Sequence, residues 1–146
     1  DGNLGTKNAK FYKNVIYGSI NKNEQAGIYG VYKDNLDNNN LINIGDAKDV
    51  KPGEASIYTA LQDNEVKEYK INILNVEPNN KIKNFYFKVT DPELLATAGG
   101  IVQGMSGSPI VQNNKLIGAV THVSIDSVTT GYGISIITML KTGEEQ

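Results

Sequence analysis

The chain has 146 residues, 39% of them apolar and 21% charged, a balance that buries one real core and excludes both a disordered chain and a solenoid. It has no cysteine, which excludes a disulfide framework, a cysteine-based zinc site and a thiol nucleophile. All 14 basic residues are Lys, set against 16 acids for a net charge of −2, and without a basic stripe or Arg forks nucleic acid is not an expected partner.

Residues 1–10 (DGNLGTKNAK) are small and polar, without hydrophobic periodicity, and predict a loop or frayed end. Residues 15–20 (VIYGSI) and 27–33 (GIYGVYK) predict a hairpin across the polar NKNEQ stretch. After the surface loop 34–40, residues 41–45 predict a further short strand, and 46–53 carry turn chemistry around Pro52 and Gly53. The clearest strands are 55–61 (ASIYTAL) and 66–76 (VKEYKINILNV), the second with an imperfect alternation that predicts a bulge. In 84–90 (NFYFKVT), Phe85, Phe87 and Val89 fall on one face and Tyr86 on the other.

Asp91, Pro92 and Glu93 then spell a helix start, with an Asp cap, Pro at the first helical position and an acid in the first turn. Gly99 and Gly100 end it quickly. Strands follow at 115–125 and 132–137, and 136–142 predicts a short closing helix. Many short strands, regular turn signals and no βα alternation give an all-β fold. No run approaches the roughly 20 apolar residues that cross a bilayer, and no signal sequence opens the chain.

The segment 99–110 reads GGIVQGMSGSPI, with the form Gly-x-Ser-Gly-x-Pro at Gly104 to Pro109. A serine nucleophile has to project from a tight turn while its own N–H and that of the glycine two before it converge on the developing oxyanion. Gly104 keeps a side chain out of that hole, Gly107 is expected to leave room behind the nucleophile, and Pro109 fixes the exit into the next strand. The loop-then-hairpin context suits chymotrypsin-like geometry, whereas a nucleophile elbow needs a strand-to-helix turn. Gly- and Ser-rich segments are also ordinary loops of β proteins, so the motif alone leaves a purely structural turn open.

The stretch from Thr90 to Leu140, with TDPELL, GGIVQGMSGSPIVQNNKLIGAVTHV and GYGISI, resembles the stage IV sporulation protein B family of signalling serine peptidases. The N-terminal half matches more weakly, around GSINKNEQAGIYG and EASIYTALQDNEVKEYKINI. The resemblance implies a chymotrypsin-like barrel fold, here an incomplete double barrel with one or two short helices. Residues 1–146 are then a single peptidase-domain fragment. It comprises a flexible segment 1–10, a first-barrel remainder and the start of the second barrel over 11–89, and a nucleophile-bearing part over 90–146. The resemblance also implies a serine endopeptidase without cofactor or metal. Its substrate is a membrane-associated regulator in the space between forespore and mother-cell membranes, whose cleavage triggers late sigma-factor processing. Carried over by position, Ser106 is the nucleophile, Gly104 and Ser106 form the oxyanion hole, and Asp91 falls on the family's acid.

The family's catalytic histidine sits in a Gly-His segment N-terminal to the matched residues, and the only histidine here is His122. Sixteen residues past Ser106, it falls where chymotrypsin-like folds build the wall of the substrate pocket. A pocket residue, a rearranged base and a plain strand histidine all stay open. Asp91 has two readings as well, triad acid or helix cap. The resemblance also implies a membrane anchor and a PDZ-like region, neither of which is expected within these residues. The expectation is an inactive fragment with open strand edges, prone to self-association or strand exchange. The alternative is a non-catalytic protease-like barrel that binds a peptide or partner.

Overall fold

The computed structural model describes residues 4–144. Strands β1 (Gly18–Glu24) and β2 (Gly27–Tyr32) form a separate antiparallel hairpin. The second sheet comprises β3 (Asn43–Ile44), β4 (Gly53–Ala60), β5 (Val66–Val76), β6 (Phe85–Val89), β7 (Pro109–Gln112), β8 (Lys115–Val123) and β9 (Thr130–Ser135). Helix α1 (Pro92–Ala98) separates β6 from β7, and α2 (Ile136–Glu144) follows β9.

Strands β4 to β9 close on themselves in the circular order β4-β5-β6-β9-β8-β7, with every pair antiparallel. β3 is added outside, parallel to β8. The fold is all-β and chymotrypsin-like, and its six-stranded barrel is complete. Closure removes the edges of these strands, so among the described residues open edges are left to the hairpin and β3. Alternation along β6 works as the sequence predicts: Phe85, Phe87 and Val89 are buried, and Tyr86 is only half-buried. They meet Ile57, Ile71, Ile73 and Ile110 in one core. The bulge expected in β5 lies opposite β6, between Ile73 and Asn75.

Two segments depart from expectation. β1 runs through the polar NKNEQ stretch and leaves only Gln25 and Ala26 as the turn. Asn and Lys are poor strand formers, but this strand is mostly exposed and its Lys22 ammonium donates to the Thr142 carbonyl of α2 at 2.8 Å. The N-terminal segment is docked from Leu4 onward: Gln103 N–H donates to Gly5 C=O and Lys7 N–H to Gln103 C=O, at 2.8 and 2.9 Å. Residues 1–3 of the expected frayed end lie outside the described residues. No described helix is long and apolar enough to cross a membrane.

Asn84 secures the closing seam. Fully buried, it donates through Nδ2 to the carbonyls of Glu77 and Asn80 at 3.1 and 2.8 Å, and through Oδ1 it accepts the Ser135 N–H at 2.8 Å. One side chain thus ties the β5–β6 loop to the end of β9. An unsatisfied buried polar group costs about 1–3 kcal/mol, so Asn84→Ala is expected to lower unfolding free energy in urea by at least about 2 kcal/mol. A loss below about 0.5 kcal/mol, the range of ordinary surface changes, would contradict this role.

Candidate active site

The loop between α1 and β7 carries the Gly-x-Ser-Gly-x-Pro motif. α1 ends at Gly99 in the left-handed conformation, its N–H bonded to Leu95 C=O. Ile101 is then pinned by its N–H on Val128 C=O at 2.7 Å and by burial of its side chain. Met105 is fully buried, and its sulfur accepts the Val102 N–H at 3.4 Å. Its burial plugs the loop into the barrel, so the residues on either side of it turn outward.

Gly104 and Gly107 both have left-handed backbones, at φ +98° and +89°, which an L side chain adopts only with strain. At Gly104 a β-carbon would also stand 3.1 Å from the Lys7 side chain. At Gly107 it would meet nothing within 4 Å. The expectation that Gly107 clears space behind the serine is therefore corrected: backbone conformation demands glycine there.

Ser106 is exposed, and its hydroxyl donates to the Thr121 carbonyl of β8 at 3.2 Å. The amides of Met105, Gly107 and Ser108 are taken up by the carbonyls of Val102, Val120 and Met105. Those of Gly104 and Ser106 have no acceptor among the described residues. These are the two N–H groups that an oxyanion hole requires of this motif.

Beside Ser106 opens a cavity of about 240 Å³ walled by the apolar side chains of Leu4, Ile101, Val102, Val120 and Val123. Gln103, Ser106, Thr121 and His122 add its polar groups. His122 therefore shares the cavity with the serine, yet among the described residues its ring has one hydrogen bond, between Nδ1 and Thr121 Oγ1 at 2.9 Å. That hydroxyl donates in turn to Tyr132 C=O at 3.2 Å, which leaves its oxygen to accept from the ring Nδ1. β8 bulges between Val120 and His122 in its pairing with β9, which re-aims the side chains bordering the cavity.

Asp91 lies at the start of α1. Its Oδ1 accepts the N–H groups of Glu93 and Leu94 at 2.9 and 3.1 Å, and its Oδ2 accepts the Lys70 N–H of β5 at 3.0 Å. Its own N–H returns to Lys70 C=O at 3.0 Å. It has no hydrogen bond to Ser106 or His122. Burial works against the charge, but the amides of Lys70, Leu94 and Glu93 outweigh it and hold the carboxyl below its usual value. Among the described residues no three His, Asp or Glu side chains gather as a metal site.

Ser106 thus stands between two left-handed glycines, with its own amide and that of Gly104 unpaired among the described residues, at the edge of an apolar cavity. The family profile described as SpoIVB peptidase S55 matches residues 1–140. The chain belongs to the SpoIVB peptidase family. No curated protein matches it. As a SpoIVB-family peptidase domain it brings Ser106, Gly104 and His122 to one cavity rim or its adjoining loop, and it sets Asp91 at the junction of α1 with β5.

Sequence reasoning misses Thr121, the serine's hydrogen-bond partner, since one carbonyl in a strand carries no side-chain signal. It also misses Leu4 and Lys7, which sit in a segment too polar to suggest docking. Asp91→Ala should cost about 1–2 kcal/mol at neutral pH, the size of a lost helix cap. Because the folded pKa of Asp91 is depressed, its stabilisation is present above the unfolded value of about 3.9 and is lost as pH falls through the folded value. Urea unfolding of wild type and Asp91→Ala should therefore converge below about pH 4; a gap that widens on acidification would contradict the assignment.

Proposed function

We propose that this domain is the nucleophile-bearing part of a serine endopeptidase in which Ser106 attacks the scissile carbonyl. The unpaired amides of Gly104 and Ser106 carry the reading, because they have no acceptor among the described residues and are the two donors that this motif offers to a developing oxyanion. Ser106 Oγ donates to the Thr121 carbonyl and to no imidazole, so the hydroxyl needs a base to become a nucleophile. The family resemblance assigns that base to a histidine N-terminal to the matched residues. His122, in the apolar cavity beside the serine, belongs to the substrate pocket on this reading. Asp91 acts as the cap of α1, since three backbone amides take up its carboxylate.

The substrate is a protein or peptide with an apolar side chain for the cavity walled by Leu4, Ile101, Val102, Val120 and Val123. Family membership supports a membrane-associated regulator, cleaved between forespore and mother-cell membranes to trigger late sigma-factor processing. A non-catalytic barrel that binds a partner is the second reading; the absence of any base on Ser106 Oγ among the described residues favours it.

The two readings separate in the full-length protein. Ser106→Ala is expected to abolish peptide cleavage while unfolding free energy stays within about 0.5 kcal/mol of wild type. Gly104→Val, which forces a β-branched residue into φ +98°, is expected to slow turnover by about 10²-fold or more, the scale of a lost oxyanion donor. Cleavage that survives Ser106→Ala would overturn the proposal.

A further inference from the structure

We propose that residues 4–7 form a clamp that holds the Gly104 arm of the oxyanion hole in place, with Lys7 as its positioning residue; the catalytic consequence rests on the serine-peptidase reading. Three bonds converge on Gln103 from this segment. Its N–H donates to Gly5 C=O at 2.8 Å, its C=O accepts the Lys7 N–H at 2.9 Å, and its Oε1 accepts the Thr6 hydroxyl at 2.8 Å. Thr6 and Gln103 thereby form a parallel bridge outside the named strands.

Lys7 reaches one residue further. Its methylene stem lies over Gly104, close enough that a β-carbon on Gly104 would be 3.1–3.2 Å from Lys7 Cβ, Cγ and Cδ. The stem stays there because Nζ donates to Thr59 Oγ1 at 2.7 Å, and Thr59 is buried on β4. Lys7 therefore spans from the barrel wall to the oxyanion loop. Holding a lysine side chain in one such pose costs rotamer entropy, so the pose reflects specific contacts.

The device has a physical reason. Glycine explores backbone conformations more freely than any other residue, and an oxyanion hole works only if its amides are already aimed. Gly104 has no side chain with which to fix itself, and its own N–H has no partner among the described residues. Met105 anchors the loop from the barrel side. The clamp supplies the other side, holding the peptide before Gln103 by its N–H and the peptide shared with Gly104 by the Gln103 C=O, and covering Gly104 with the Lys7 stem.

The test uses the full-length protein and reads two quantities: amide hydrogen exchange over residues 101–107 and the labelling rate of Ser106 by a fluorophosphonate. Three variants are compared. Lys7→Gly removes the stem, Lys7→Met keeps it without the ammonium, and Thr59→Val removes the anchor. The clamp predicts exchange over 101–107 at least tenfold faster in Lys7→Gly, and a smaller rise of similar size in Thr59→Val and Lys7→Met, which each keep the stem and lose its anchoring bond. Labelling should slow in the same order, tenfold or more in Lys7→Gly. Exchange in Lys7→Gly equal to wild type overturns the clamp. Faster exchange with undiminished labelling overturns its role in forming the hole. Absence of labelling in wild type overturns the peptidase reading instead, and the exchange result still decides the clamp.

Discussion

Everything at the site depends on how β9 closes the barrel. β9 is hydrogen-bonded to β6 on one side and to β8 on the other, and two of its glycines make room for core isoleucines. A β-carbon at Gly131 would stand 2.4 Å from Ile101 Cδ1, and one at Gly133 would stand 2.4 Å from Ile110 Cδ1. Ile101 begins the loop that carries the serine and Ile110 lies in the strand that leaves it. Closure therefore fixes both ends of the serine-bearing loop to the same strand. Close-packed interiors transmit such constraints because they contain few voids to absorb a shift.

Within that frame the loop alternates buried anchors with exposed functional groups. Ile101 and Met105 are buried, and Ser106 faces solvent. The left-handed glycines at 104 and 107 make this alternation possible, since they reverse the chain on either side of a buried methionine. The electrostatics are economical. Among the described residues Ser106 Oγ hydrogen-bonds no ionised side chain; the polar groups around it are backbone dipoles, the Thr121 carbonyl it donates to and the unpaired Gly104 and Ser106 amides. Fixed dipoles of this kind need no reorganisation when charge develops.

The barrel was largely legible in the sequence because its strands obey local rules. β5 spans the predicted 66–76, α1 starts after the Asp91 cap and stops at Gly99, and the β6 alternation matches the buried face. Order that comes from long-range contact was not legible. β1 continues through Asn21, Lys22 and Asn23 because pairing with β2 and a lysine bond to α2 support it. Leu4 to Lys7 are ordered by Gln103, almost a hundred residues away, and no local pattern encodes that. At the site, the motif singled out Ser106 and Gly104, but the unpaired state of their amides shows only in the fold. The two roles open to Asp91 could be weighed only once its carboxylate was found on three backbone amides.

The central claim is that Ser106 is a nucleophile held in a preformed oxyanion geometry. The most direct measurement is fluorophosphonate treatment of the full-length protein, followed by peptide mapping of the covalent adduct by mass spectrometry. The account predicts a single phosphonylated site at Ser106, lost when the protein is unfolded before treatment. An unmodified Ser106, or an adduct on another hydroxyl with Ser106 untouched, would contradict it.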